Sequence, residues 1–356
     1  MNATHEDNFL FSFEKNSSLA NDTSNVNGEQ DIFDIEKKKR ISQVVFLLIS
    51  SIGIFGNFVS ILALTKSKKL RNPTTTFVTT LCVADLLFCL CTFINYINIE
   101  WNQNYYFCIL ITWAKFFVGG ESVYLIVGIT INRYICVVHP NYYHLIYQTK
   151  YLVLQITLAW LYSFLISLLP FFEIWGKYGY DPNSGLCIIL RQKGTSAKVF
   201  FFISYFAFPV IVLIICYPRI LWVSLEASER VRKSSLFVTA SGLNATATCN
   251  GIQSDYNSES LMNDKDMKLL KVMLVIVVAF TICYFPMVLI KFFDNKAKIS
   301  ALTAISYLAI NVSNVINPII YFSMSNEYRK AYLELFKCKD IRLQFSVSTN
   351  SEMISV

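Results

Sequence analysis

Apolar residues gather into seven runs separated by shorter polar stretches, near 41–65, 73–98, 108–138, 149–172, 199–224, 267–293 and 299–323. At about 1.5 Å of rise per residue, each is long enough to cross a hydrocarbon layer of roughly 30 Å as a helix. A further segment, 326–337, has a different pattern. Tyr328, Tyr332, Leu335 and Phe336 share one helical face, and Arg329, Lys330 and Lys337 lie against it. That arrangement suits a helix lying along a membrane surface. The expected fold is an all-α membrane protein, a seven-transmembrane-helix bundle with a short amphipathic eighth helix. Around it the chain divides into an extracellular disordered tail, 1–40, the helical domain, 41–338, and a cytoplasmic tail, 339–356. Residues 225–266, rich in Ser, Asn and Thr with little apolar periodicity, read as a disordered loop.

Composition agrees with the pattern. Of 356 residues, 54% are hydrophobic and 15% charged, against about 25% charged in soluble domains. The net charge of +7 does not point to nucleic acid, because much of it sits in short loops and helix ends, where basic residues set orientation. Lys66, Lys68, Lys69 and Arg71, then Lys150, Arg230, Arg232, Lys233, Lys265, Lys268 and Lys271, favour a cytoplasmic C-terminus by the positive-inside rule. Lys37, Lys38, Lys39 and Arg40 run against that assignment. The sequons at Asn2, Asn16 and Asn21 support it and are expected to be glycosylated. No cleavable signal peptide is read at the N-terminus. Of ten cysteines, most lie inside apolar runs and behave as small hydrophobes. Cys108 and Cys187 differ, falling at loop or helix-end positions on one expected face. No metal-ligand spacing is present. Cys338, beyond the amphipathic segment, is a palmitoylation candidate or a plain thiol.

Polar residues inside apolar runs carry the functional signal, since a charge at membrane depth is costly. Arg133, in Asn132-Arg133-Tyr134, ends the third run, 25 positions after Cys108, or about 37 Å along a helix. Asn57, Asp85, Asn314 and Asn317 lie in the first, second and seventh runs. They must face one another or water, which implies a shared polar cluster in mid-bundle. An ionised Asp85 would attract a cation such as sodium; the alternative is helix-helix glue. Pro209, Pro286 and Pro318 interrupt the fifth, sixth and seventh runs and are expected to kink them.

Taken in order, Gly56-Asn57, Leu81 to Asp85, Asn132-Arg133-Tyr134, Trp160, Pro209 with Tyr217, Phe280-x-x-Cys283-Tyr284-x-Pro286 and Asn317-Pro318-x-x-Tyr321 resemble the rhodopsin-like (class A) G-protein-coupled receptors. The resemblance covers about 41–338. With Asn72-Pro73-Thr74 it extends to an invertebrate orphan group that includes the trapped-in-endoderm and moody receptors, with melatonin receptors as looser relatives. It implies a disulfide between Cys108 and Cys187, and a first-loop tryptophan at Trp101. It implies a place in the plasma membrane, a heterotrimeric G protein and an arrestin as partners, and no cofactor beyond an allosteric sodium ion at Asp85. In the family, agonist binding moves the inner end of the sixth span outward. The triplet arginine then meets the G protein, with Tyr217 and Tyr321 reorganising beside it. At rest Arg133 would pair with Asp266, which otherwise reads as a solvated loop charge. Three positions depart from the family pattern. Asn132 replaces the usual acid, and a shifted basal activity follows. Tyr284 replaces the usual tryptophan and would pack on Phe280. The order Ser313-Asn314 alters the sodium-site geometry.

Lys115 stands seven residues after Cys108, where amine receptors carry aspartate, which argues against a biogenic amine. Asn311 occupies the place of the opsin lysine, which argues against retinal. Lys115, Arg191 and Lys291 would form a cationic pocket mouth with Phe116, Tyr205, Met287 and Tyr307 as walls, suiting an anionic or lipid-like ligand. Alternatively Lys115 pairs with Glu100 or Glu121, or reaches outward. A channel or transporter would need pore-lining charges or inverted repeats, and an intramembrane enzyme a catalytic cluster at depth. Neither pattern is read in the sequence, and no enzymatic activity is expected. The ending Ile354-Ser355-Val356 is a candidate PDZ ligand.

Overall fold

The structure is a computed structural model that describes residues 37, 40–181, 186–190, 198–240, 264–293 and 300–335. Seven helices in it are long and apolar enough to cross a membrane. The first spans Arg40–Lys66, the second Pro73–Ile97, the third Tyr105–Val138 and the fourth Thr149–Leu168. The fifth is built from Lys198–Phe202, a π-helical turn Ile203–Ala207, and Phe208–Ala240. The sixth is Asp264–Phe293 and the seventh Ser300–Met324. Residues 326–335 form the expected further helix. Its Tyr332 hydroxyl lies 2.5 Å from Ser60 Oγ of the first span, which ties it beneath the bundle. Several elements were not expected, among them 3-10 turns at Lys68–Leu70 and Ile99–Gln103. A short helix, Pro140–Ile146, follows the third span. An antiparallel hairpin, β1 Lys177–Asp181 with β2 Leu186–Leu190, pairs Tyr180 opposite Cys187.

Polarity runs inside-out, as a bilayer demands. On the first span Ile41, Val44, Leu48, Ile52 and Phe55 are exposed, while Ser50, Asn57 and Ser60 are buried. Lipid takes the apolar face, and the polar side chains find partners within the bundle. The third span is the hub and packs most closely on the second, fifth and fourth. Local chemistry sets the ends of the helices. Asn72 caps the second span by accepting from the Thr75 N–H at 2.8 Å, with Pro73 just inside the helix. Asn104 caps the third through Phe107 N–H at 3.1 Å. Both satisfy amides that the first helical turn leaves unpaired.

Two boundaries differ from the sequence reading. The fourth span ends at Leu168, not near 172, because Pro170 cannot donate the next helical hydrogen bond. The chain turns there instead and passes through positive φ at Glu173 and Gly176. A Cβ on Gly176 would stand 2.8 Å from the Leu190 carbonyl oxygen, so hairpin closure requires glycine at this position. The stretch 225–240, read as the start of a disordered loop, continues the fifth span as helix. Arg230 pairs with Glu226 at 2.6 Å and Lys233 with Glu229 at 4.0 Å, both one turn apart, and such pairs support a helix.

Candidate functional site

The hairpin and the arginine triplet lie at opposite ends of the bundle, and each end carries a site. At the hairpin end is a cavity of about 300 Å³, at the small end of the range for ligand pockets. Cys108 and Cys187 are bonded, which fixes β2 to the top of the third span. Residues 187–190 of β2 therefore line the cavity. Tyr178 of β1 donates to the Ser167 carbonyl at 2.8 Å, and its ring lies 6.0 Å from that of Phe116. Burial pushes the Tyr178 phenol up, which keeps it a neutral donor.

Lys115, Phe116, Tyr205, Met287, Tyr307 and Asn311 all line this cavity, as the sequence suggested. Lys291 belongs to the sixth helix, but its side chain, like all of Arg191, lies outside the described residues. Lys115 does not pair internally with a described carboxylate. Among the described residues the ion pairs are those of Arg230 and Lys233. The Lys115 ammonium rests instead near the rings of Phe88 and Tyr96, 5.7 and 5.9 Å from their centroids. Glu121 is fully buried, with neither carboxylate oxygen hydrogen-bonded. Asn311 accepts from Thr92 at 3.0 Å and donates to the Tyr307 carbonyl at 2.7 Å. Sequence reading passed over Asn95, which also lines the cavity. The rule that singled out Asp85, a polar side chain within an apolar run, applies equally to Asn95.

The π turn shapes one wall. Pro209 has no N–H to return to the preceding turn, and the helix widens just before it. Tyr124 of the third span donates to the freed Ser204 carbonyl at 3.1 Å. The turn also carries Tyr205, whose ring stacks on Phe201 at 5.6 Å. On the facing helix a Cβ at Gly120 would come within 2.5 Å of the Tyr205 ring. Glycine there is what allows the ring to approach.

Below the cavity, Asp85 accepts from Ser122 and from the Asn317 amide, each at 2.8 Å and each on a different oxygen. Asn57 donates to the Gly53 and Asn314 carbonyls, both at 3.0 Å. Asn314 donates to its own helix at Ile310. The expected polar residues are therefore buried in mid-bundle as two linked pairs, with Ser122 as an added member. For sodium, Asp85 offers an anionic oxygen pair with lone pairs to spare, and Ser122 a neutral oxygen. The Asn57 side-chain oxygen is buried without a partner. These hard oxygen donors fit such an ion, and the groups that would hold it are Asp85 and Ser122. Tyr284 packs on Phe280 at 4.2 Å between centroids, as expected.

At the other end Asn132 accepts from Thr74 at 2.7 Å and donates to Tyr143 of the short helix at 3.4 Å. It thus binds the second span and the connecting helix rather than its neighbour Arg133. Burial raises the Tyr143 phenol above its ordinary value. Arg133 is 4% exposed, and its Nε has no hydrogen-bond partner. The hydroxyls of Tyr217, Tyr321 and Tyr328 are likewise buried and unpaired. Tyr134 lies edge-on to His139 at 5.6 Å. Asp266 falls in the sixth helix, but its side chain lies outside the described residues. So do Asn2, Asn16, Asn21, Cys338 and the C-terminal tripeptide.

A profile of the 7 transmembrane receptor (rhodopsin family) matches residues 56–321. The chain belongs to the rhodopsin family of seven-transmembrane receptors. Its relatives within the family include the G-protein coupled receptor moody of Drosophila melanogaster, 31% identical over 84% of this chain and 52% of that protein. Protein trapped in endoderm-1 of the same species is 32% identical over 83% and 76%. Melatonin receptor type 1A of Mus musculus is 26% identical over 87% and 85%. The chain spans about half the length of the moody receptors it matches. The crystal structure of squid rhodopsin superposes with a TM-score of 0.67 at 22% identity, covering 85% of this chain and 86% of that one. In this family member the arginine triplet, the prolines of the sixth and seventh spans and the disulfide all stand on the elements the resemblance assigned them.

Proposed function

We propose that this chain is a plasma-membrane receptor with the hairpin end and N-terminus outside and the arginine end and C-terminus inside. It takes a small extracellular ligand in the cavity, of anionic or lipid-like character, and activates a heterotrimeric G protein. The observation that carries this is Arg133: a buried cation at one end of a membrane bundle, its Nε without a partner, with the unpaired hydroxyls of Tyr217 and Tyr328 close enough to feel its charge. Unsatisfied buried polar groups are costly, and an incoming partner helix that supplied acceptors would relieve them. The names of the relatives support the same reading. Arrestin would use the same face, and sodium held by Asp85 and Ser122 would favour the resting bundle.

Biosensors for each Gα class in cells test the proposal, comparing wild type with Arg133→Ala at matched surface expression. Nucleotide exchange in wild type that is lost in the variant is the expected result. Equal signalling by the variant would remove Arg133 from the coupling role. An epitope at the N-terminus that is accessible only after permeabilisation would overturn the orientation.

A further inference from the structure

The cavity contains more polar information than a receptor pocket needs for shape alone. Lys115 hydrogen-bonds to no described residue, and its ammonium faces two aromatic rings. Asn95 is 6% exposed, lines the same cavity, and likewise makes no hydrogen bond with a described residue. Its position is not accidental. Asn95 and Phe88 lie seven residues apart on the second span and so share one helical face, and Phe88 is the ring over which Lys115 rests. An ammonium and an amide N–H₂ are thus presented from adjacent spans into one apolar chamber. Elsewhere the walls are aromatic, with Phe116, Phe201, Phe206 and the Tyr205 ring among them. Neither group is satisfied within the described protein, so both keep hydrogen-bonding capacity open to whatever fills the cavity.

We propose that the cavity selects a carboxylate amphiphile, its acid oxygens held by the Lys115 ammonium and the Asn95 amide and its hydrocarbon chain laid against the aromatic wall of the third and fifth spans. This rests on the reading that the cavity is the ligand site. The head group is a carboxylate because Lys115 is the one cation lining the cavity among the described residues. One cation matches one negative charge, whereas a phosphate dianion would bring uncompensated charge into an apolar chamber. A planar acid with two acceptor oxygens can also engage two donors that line one cavity. Thr112 and Asn311, whose own hydrogen bonds are made within the protein, border the head group without being needed to bind it.

The test uses the full chain in nanodiscs of zwitterionic lipid. Probes are straight-chain carboxylates from octanoate to oleate, the alcohols and methyl esters of the same chains, and lysophosphatidate. Affinity is read by calorimetry and by the shift in thermal unfolding midpoint. At least one carboxylate should bind about ten- to a hundredfold more tightly than its alcohol, the range of one or two charge-assisted hydrogen bonds. Lys115→Met should abolish that preference, weakening the acid far more than the alcohol, whose binding stays measurable. Lys115→Arg should restore part of it, and Asn95→Leu should weaken it several-fold. Retained alcohol binding in Lys115→Met separates loss of recognition from misfolding. Equal binding of acid, alcohol and ester, binding of none of the carboxylates, or tighter binding of lysophosphatidate would each overturn the proposal. Basal nucleotide exchange on added G protein is measured in the same discs. Exchange without carboxylate selectivity defeats this inference alone. Selective carboxylate binding with neither basal nor ligand-driven exchange defeats the receptor reading and leaves the site standing.

Discussion

Asn132 shows how one atom changes what a position in a helix can do. As an amide it accepts from Thr74 and donates to Tyr143, and it has no charge to offer Arg133. A carboxylate there would keep both contacts, with Tyr143 now the donor, and add a charge partner for the arginine. Charge-assisted hydrogen bonds contribute about 1.5–3 kcal/mol. Asn132→Asp is therefore expected to lower basal G-protein turnover by about tenfold or more; unchanged turnover at equal expression would mean that Arg133 is not held by its neighbour. Asp85 allows a second test. Replacing choline by sodium should raise the thermal midpoint of wild type and leave Asp85→Asn unmoved. Sodium stabilising both equally would place the ion elsewhere. Residue identities of this kind were legible because a polar side chain in an apolar run has few explanations. Asn95 and Ser122 obey the same rule and went unremarked, since neither belongs to a familiar short motif.

Among the elements, the π turn before Pro209 is the most demanding. Its open carbonyl is closed by Tyr124, and its Tyr205 ring is admitted by Gly120. Tyr124→Phe should cost about 1–3 kcal/mol by stranding the Ser204 carbonyl, and Gly120→Ala about 1–3 kcal/mol by overpacking. Both are read as lowered unfolding midpoints in detergent. A Gly120→Ala protein as stable as wild type would show that the Tyr205 ring moves aside freely. The seven spans could be read from hydrophobic length, and the membrane-surface helix from the apolar face that Tyr328, Tyr332 and Leu335 share. Asn72-Pro73, used in the sequence only for its family likeness, proves to be the cap of the second span. The hairpin could not be read in advance. Its strands are held by contacts outside it, the expected bond from Cys187 to Cys108 and the Tyr178–Ser167 hydrogen bond, and nothing within 177–190 announces that the two segments pair as strands. The helix through 225–240 was hidden for the opposite reason: its evidence was local, Glu226 with Arg230 and Glu229 with Lys233, but lay in a stretch whose serines and threonines suggested a loop.

Across the whole molecule the disulfide closes a separation of 79 residues. Loss of chain entropy at that length corresponds to about 4.5 kcal/mol. Cys187→Ser should therefore release the hairpin, deplete surface receptor and weaken any ligand of the cavity, as flow cytometry and binding to whole cells would report. Normal surface levels with intact binding would show that the hairpin docks without its bond. The packing is also uneven. The sixth span lies closely along the seventh but meets the third and fifth only sparsely among the described residues. Pro286 interrupts it beside Met287, which lines the cavity. The consequence is leverage. From Pro286 to the start of the helix at Asp264 is about 33 Å at helical rise, so a tilt of roughly 10° at the cavity sweeps the far end through about 6 Å. The short arm borders the cavity, the long arm runs toward the end of the bundle that carries Arg133, and the proline is the fulcrum between them.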